Sequence, residues 1–171
     1  LNTTVNGINV RNAGTTTTVN AGGTLSVGSV TYTNNGTTTI NGTFQINGGG
    51  FAGGNNDFAY GMDGNLIFNH GNNSNFYGPV DNFHKYWPNS NSPKNVTVNT
   101  NSPINLGISR SVAGTFKTAA GVSISGGNLT LNGICEINAG GFFNNAPTYG
   151  TGSTLLYNNV NGYGVYNEWT G

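Results

Sequence analysis

Two stretches of the sequence match each other closely: residues 41–51, NGTFQINGGGF, and residues 132–142, NGICEINAGGF. Seven of the 11 positions are identical, at an offset of 91 residues. Both stretches alternate apolar and polar residues between Asn-Gly or Gly-Gly steps, a pattern that is typical of short strands between tight corners. Self-similarity at a fixed period is the signature of repeat proteins. The chain is therefore predicted to contain two copies of one structural unit.

The match continues on both sides of these stretches. Its clearest further pairs are residues 23–25 with 114–116, residues 66–69 with 155–158, and Trp87 with Trp169. A Pro-, Ser- and Asn-rich segment, PNSNSPK at 88–94, separates the two copies. We predict repeat 1 at residues 1–88, a joint at 89–94 and repeat 2 at 95–171, and we expect such units to recur in a longer array.

The composition favours an all-β fold. The chain of 171 residues contains 32 asparagines, 22 threonines and 29 glycines, which are poor helix formers. Asn-Gly pairs bend the backbone at low cost, because both residues tolerate a positive φ. The intervening runs are too short and too closely spaced for a meander of hairpins. We predict a β-solenoid (β-helix) with three short strands per coil and about four coils per repeat, with a β-sandwich or a mixed meander as the alternative.

Charge is scarce and balanced. Five basic residues face five acidic ones, so the chain lacks the electrostatic pattern of a nucleic-acid-binding protein. No stretch reaches the roughly 20 apolar residues of a membrane-spanning helix. We predict neither a nucleic-acid partner nor membrane insertion. The single cysteine, Cys135, cannot form a disulfide within the chain, and it lies in phase with Ile137, so we expect it to face the core.

Several motifs of the second repeat resemble the repeats of very large secreted surface proteins of Bacteroidetes. They are NLTLNG at 128–133, a Gly-Gly-Phe step, TYGTGSTLLYN at 148–158 and GYGVYNEW at 162–169, with residues 88–98 and RSVAGTF at 110–116 resembling a junction between repeats. Proteins of this kind are typically exported by type IX secretion and include adhesins and gliding-motility proteins. The resemblance implies an extracellular or cell-surface location, and it supplies no catalytic residues. Repeat 1 departs from the pattern: residues 70–86 are expanded, and no Glu precedes Trp87 as Glu168 precedes Trp169.

Acidic residues are the first candidates for chemistry. Asp57, Asp63 and Asp81 lie with His70, His84 and Lys85 in or shortly before the expanded part of repeat 1, and β-helix enzymes that cleave polysaccharides use paired carboxylates or bound calcium. The favoured interpretation is that these are polar loop residues, because repeat 2 has Gly152 in place of Asp63. Histidines and carboxylates at metal-ligand spacing are lacking. We therefore predict no catalytic residues, no metal site and no cofactor.

Aromatic residues crowd the second half of each repeat. Most recur at matching places in both copies, so we expect them to pack in the core or in a seam between repeats. Four have no counterpart in repeat 2 and are the candidate ligand-binding residues: Phe76, Tyr77, Phe83 and Tyr86. Thr-x-Thr patterns at Thr15–Thr17, Thr31–Thr33 and Thr37–Thr39 raise the possibility of an ice-binding solenoid, but intervals of 16 and 6 residues do not fit one pattern per coil.

These features together predict a non-enzymatic structural or adhesive module of a large extracellular surface protein. Its partners would be neighbouring repeats of the same polypeptide and, at the aromatic loops, surface glycans. The alternative is a carbohydrate-binding or carbohydrate-cleaving β-helix centred on residues 57–86. An ice-binding solenoid is the third hypothesis.

Overall fold

Short runs of alternating apolar and polar residues form short parallel strands, and the chain turns a corner after each one. The structure, a computed structural model, describes residues 2–6, 10–69, 85–100, 102–106, 108–159 and 166–169. It is an all-β solenoid of about six turns, which confirms the predicted fold class.

One sheet runs along the whole solenoid. Its eight strands are, in spatial order, β1 (Asn2–Asn6), β4 (Thr24–Gly28), β7 (Thr43–Asn47), β10 (Asn65–Asn69), β11 (Asn95–Val98), β14 (Thr115–Thr118), β17 (Ile134–Asn138) and β20 (Thr154–Asn158).

The other strands form four three-stranded sheets, two in each half of the chain. In the first half they are β2 (Val10–Asn12), β5 (Thr31–Asn34) and β8 (Phe51–Gly54), and β3 (Thr16–Val19), β6 (Thr37–Ile40) and β9 (Phe58–Tyr60). In the second half they are β12 (Ser102–Asn105), β15 (Gly121–Ser125) and β18 (Phe142–Phe143), and β13 (Arg110–Val112), β16 (Leu129–Leu131) and β19 (Thr148–Tyr149).

The strand order shows how the coils stack. Within each half of the chain, strands three places apart pair in parallel, so one coil holds three strands. Between the halves the described pairing is that of the consecutive strands β10 and β11, with Leu66 opposite Val96 and Phe68 opposite Val98. Six coils have all three strands described, three in each half, and β10 and β20 each begin a fourth. The long sheet therefore continues without a break from the first repeat into the second.

Two Asn-Gly corners show why glycine recurs at these turns. A Cβ atom at Gly42 would meet the carbonyl oxygen of Gly23 in the coil before it. A Cβ atom at Gly133 would likewise meet the carbonyl oxygen of Gly114. The backbones of successive coils approach too closely at this corner for any side chain, and the two repeats share this requirement at equivalent places.

The interior is a single apolar core that extends through both repeats. It contains apolar side chains from every sheet together with Trp87. Cys135 lies opposite Phe116 and Leu155 in the long sheet and is fully buried, as its phase with Ile137 predicts. The aromatic seam runs towards the joint between repeats as a chain of ring contacts, with centroids 5.0 to 6.5 Å apart, through Tyr32, Phe58, Phe44, Tyr86, Phe68 and Trp87.

Asparagine side chains stack from coil to coil. Inside repeat 1, Asn12 Nδ2 donates to Thr38 Oγ1 at 3.3 Å, and Thr38 Oγ1 donates to Asn34 Oδ1 at 2.8 Å. On the long sheet, Asn95 Nδ2 donates to Asn65 Oδ1 at 2.9 Å, which links the first strand of repeat 2 to the last described strand of repeat 1. Such ladders satisfy buried polar groups while adding bonds along the solenoid axis.

Candidate functional site

A cavity of about 200 Å³ opens at the end of the second repeat. It is lined by Tyr149 of β19, Leu155 of β20, Ser153 between them, and Glu168 and Trp169. These five residues are called the terminal face below. No sequence motif marks these five residues as a site, although Glu168 directly precedes Trp169. The Trp169 side chain is 63% exposed.

Glu168 attaches residues 166–169 to the solenoid through hydrogen bonds. The residue is fully buried. Its Oε2 accepts from the Phe143 N–H at 3.2 Å, and its Oε1 accepts from the Tyr157 hydroxyl and the Tyr166 N–H, both at 3.1 Å. Its backbone carbonyl accepts from the Tyr149 hydroxyl at 2.7 Å. Several donors thus compensate the burial of this carboxylate, as a buried charge requires.

Cys135 and Tyr149 lie side by side beneath the terminal face. Burial raises the pKa of the Cys135 thiol, a hydrogen bond with Tyr149 opposes the shift and the nearby Glu168 carboxylate adds to it, so that the pKa is about 11. Burial, and then Cys135, raise the pKa of the Tyr149 hydroxyl well above its ordinary value. Both groups are protonated near neutral pH, and a buried protonated thiol is a poor nucleophile.

The same arrangement occurs once more in the molecule, at the end of repeat 1. The hydroxyl of Tyr60 donates to the carbonyl of Tyr86 at 2.7 Å, as the hydroxyl of Tyr149 does to the carbonyl of Glu168. In each case a Trp follows the accepting residue, so Trp87 and Trp169 are structural counterparts. The residues equivalent to the terminal face are called the inner face: Tyr60, Gly64, Leu66, Tyr86 and Trp87.

Repeat 2 covers the inner face. The joint segment lies against it, with the Tyr60 N–H donating to the Asn91 carbonyl at 2.8 Å and the Lys94 N–H donating to the Gly64 carbonyl at 2.9 Å. Strand β11 then pairs with β10 beside Leu66. Leu66 and Trp87 consequently have no exposed surface.

Of the four predicted ligand-binding aromatics, Phe76, Tyr77 and Phe83 lie outside the described residues, and their role stays a prediction. Tyr86 lies in the core with 2% of its surface exposed, and its ring packs against Phe44 and Phe68. It has no open face on which a sugar ring could stack.

The candidate acidic residues Asp57 and Asp63 each form an ion pair. Asp57 pairs with Lys85 at 3.1 Å, and Asp63 pairs with Lys94 at 2.8 Å. Asp81, His70 and His84 lie outside the described residues. Since Asp57 and Asp63 each face a different lysine, they do not form a pair of facing carboxylates. The pair with Lys94 instead connects the corner before β10 to the joint.

Threonines form a small regular array on the outside of repeat 1. Thr16 and Thr18 of β3 lie opposite Thr37 and Thr39 of β6, one pair per coil. The threonines of β3 in this array are therefore Thr16 and Thr18, whereas the sequence pattern used Thr15 and Thr17. The array does not continue into the third coil, where Ala59 lies opposite Thr39.

Comparison with known protein families, curated proteins and solved structures finds no match to this chain. Among the described residues, no helix has the length and apolar character needed to cross a membrane. In the same part of the chain, His, Cys, Asp and Glu side chains nowhere gather in a group of three or more that could hold a metal ion.

Proposed function

We propose that this chain is a non-catalytic structural module, a spacer or adhesive segment, of a large extracellular surface protein. The observation that carries the proposal is the passage from β10 to β11, where the sheet and the core run from one repeat into the next. A junction of this kind makes two repeats one continuous rod instead of two domains on a linker.

Each added repeat would lengthen such a rod by a fixed amount. Parallel strands lie about 4.8 Å apart, so a repeat of four coils lengthens the solenoid by roughly 19 Å. The Asn ladders and the shared core add contacts at every coil. A balanced, sparse charge avoids strong nonspecific attraction to nucleic acid or anionic surfaces.

The partners in this proposal are neighbouring repeats of the same polypeptide and, for the adhesive role, surface glycans. The proposed location is the cell surface, on the basis of the resemblance of the repeats to those of secreted Bacteroidetes proteins. Antibody labelling of intact cells of the source organism tests this location, and a signal that appears only after lysis would contradict it.

The spacer role is tested by adding a repeat. A variant in which residues 95–171 are followed by a second copy of the same residues should give a longer particle in small-angle X-ray scattering, with a maximum dimension larger by roughly 19 Å and an unchanged cross-section. The original chain is the matched control. A particle that thickens instead of lengthening, or a flexible pair of separate bodies, would overturn the proposal.

A further inference from the structure

Arg110 is a charged residue at a core position of the solenoid. In β13, Arg110 and Val112 are buried and Ser111 between them is exposed, so the arginine faces inward. In the next coil, the residue opposite Arg110 is the buried Leu129. Only 3% of the Arg110 surface is exposed. At such a position, the charge and the five N–H groups of an arginine need compensation inside the protein.

The described hydrogen-bond partners of this guanidinium are neutral. Its Nε donates to the Leu106 carbonyl at 3.3 Å, and its Nη1 donates to Asn89 Oδ1, in the joint, at 2.9 Å. Its Nη2 is buried and has no hydrogen-bond partner among the described residues. Burial lowers the pKa of the Arg110 guanidinium, while Asp57 and Tyr86 act against the shift. The group remains charged at neutral pH, because an arginine is not deprotonated in proteins.

The other charges near the joint are already paired. Lys85 pairs with Asp57, and Lys94 pairs with Asp63. Within the described ranges, no carboxylate lies at ion-pair distance from Arg110. A buried charge without a counter-charge is strongly destabilising. The described part of this junction therefore has one positive charge in excess, and it lies in the core.

A second buried donor without an acceptor belongs to the same stretch of chain. Trp87 Nε1 is buried and has no hydrogen-bond partner in the part of the chain that the structure describes. Trp87 comes two residues before Asn89, which binds Arg110. Buried donors are normally satisfied by protein, by water or by an ion. Neither a guanidinium nor an indole N–H can accept a hydrogen bond, so both groups require an acceptor.

We propose that the junction between the repeats binds one small monovalent anion, of the size of chloride, at Arg110 Nη2. The anion supplies an acceptor and a counter-charge together, and Trp87 Nε1 is the candidate second donor. Its size is limited because Arg110 is almost completely enclosed. It is monovalent because the cost of moving an ion from water into a protein interior rises steeply with its charge. A weakly hydrated guanidinium suits a weakly hydrated halide.

The chloride dependence of stability tests the site. Urea unfolding of the intact chain is measured at constant ionic strength while sodium chloride replaces sodium gluconate, whose anion is too large for an enclosed site. Because the anion binds the folded chain, the folding equilibrium constant should rise roughly tenfold for each tenfold rise in chloride above the dissociation constant. Sodium bromide should act as sodium chloride does.

Arg110→Leu is the deciding variant, and Arg11→Leu is its matched control. Leucine places an apolar side chain beside Leu106 and Leu129, so Arg110→Leu should fold and should lose the chloride dependence. In gluconate alone it should be at least as stable as the original chain, because the uncompensated charge is gone. Arg11 is exposed on β2, so Arg11→Leu should keep the full chloride dependence.

Crystals soaked in bromide give the location. An anomalous peak is expected within hydrogen-bond distance of Arg110 Nη2, and it should be absent from Arg110→Leu. Stability that does not respond to chloride, a response that persists in Arg110→Leu, or bromide bound only elsewhere would each overturn the proposal. A chain that responds to chloride only after Asp81→Asn would do so too, because Asp81 would then be the counter-charge. None of these measurements uses the length of the particle, so their failure leaves the proposed function untouched.

Discussion

The inner face of repeat 1 and the terminal face of repeat 2 consist of residues at equivalent positions, but the inner face is buried and the terminal face is partly exposed. Trp87 has no exposed surface, whereas Trp169 is 63% exposed. Leu66 is fully buried, whereas Leu155 is partly buried and lines a cavity. The Tyr-to-carbonyl hydrogen bond beneath each Trp has the same length, 2.7 Å. The hydrogen bond and the position of the Trp are therefore the same at both ends, which differ in the covering coil and in the residue before the Trp, Tyr86 or Glu168.

This comparison shows that burial in a solenoid is a property of the neighbour as much as of the residue. Each coil provides one face to the coil before it and one to the coil after it, and neither face is complete alone. An apolar side chain such as Leu155 is in phase with the core of the whole rod. Its exposure reports the position of its coil in the stack, not a failure of the pattern.

The tryptophans give the largest expected effect. Trp87→Ala should lower the free energy of unfolding by about 3–5 kcal/mol, because it empties a fully buried site. Trp169→Ala should cost less than about 1 kcal/mol, because most of the side chain is already in water. Urea unfolding of both variants checks the difference. Equal losses would show that the two ends are packed alike and would break the comparison.

Glu168 gives an intermediate effect, and it is the position at which the two ends differ in chemistry. Glu168→Ala should lower the free energy of unfolding by about 1–3 kcal/mol, because the N–H of Phe143 and the N–H of Tyr166 lose their acceptor. Glu168→Gln keeps one acceptor oxygen and should cost less. The Tyr149 hydrogen bond uses the backbone carbonyl and should persist in both variants.

Urea unfolding and the Tyr149 environment, followed by tyrosine fluorescence or NMR, provide the readouts. An unchanged free energy of unfolding in Glu168→Ala would contradict a role for the carboxylate in attaching residues 166–169 to the solenoid. A matched substitution at the inner face is Tyr86→Ala, whose cost should come from lost ring packing against Phe44 and Phe68 instead of lost hydrogen bonds.

Much of this fold could be predicted from the sequence, because the alternation of residues within each short strand determines which side chains face the interior of a solenoid. Each buried position in β7 or β17 alternates with an outward one, so the match between residues 41–51 and 132–142 predicts strand, phase and core together. The burial of Cys135 and the equivalence of Trp87 and Trp169 follow from the same alignment. Asn-Gly corners add the coil boundaries.

The terminal face could not be predicted, because it depends on what covers a coil and not on the coil itself. The burial of Tyr86 likewise depends on the following repeat and on the rings of Phe44 and Phe68.

The question of which threonines of β3 face outward is a different case. Residues 15–18 are four threonines in a row, which have no apolar-polar alternation, and only the pairing of Thr16 with Thr37 decides which of them face outward.

The smallest expected effect distinguishes the outer surfaces of the two repeats. Lys117 and Glu136 form an ion pair at 3.0 Å, at positions that Ser26 and Gln45 occupy in repeat 1. The hydrogen bond from Lys117, and weaker ones from Asn138 and Asn158, lower the pKa of Glu136 against the opposing effect of burial. A surface pair of this kind is worth about 0–1 kcal/mol.

Because the folded pKa of Glu136 is depressed, its contribution to stability is present above the unfolded pKa of about 4.3 and is lost as the pH falls through the folded pKa. Glu136→Gln, which restores the residue found at Gln45, should therefore be less stable than the original chain at pH 7 and equally stable near pH 2. Lys117→Gln should reproduce this pH dependence, and the double substitution should add little. Urea titrations at both pH values measure it. Parallel pH profiles for the original chain and Glu136→Gln would show that the pair contributes nothing, and that the outer surfaces of the two repeats are energetically equivalent despite their different charges.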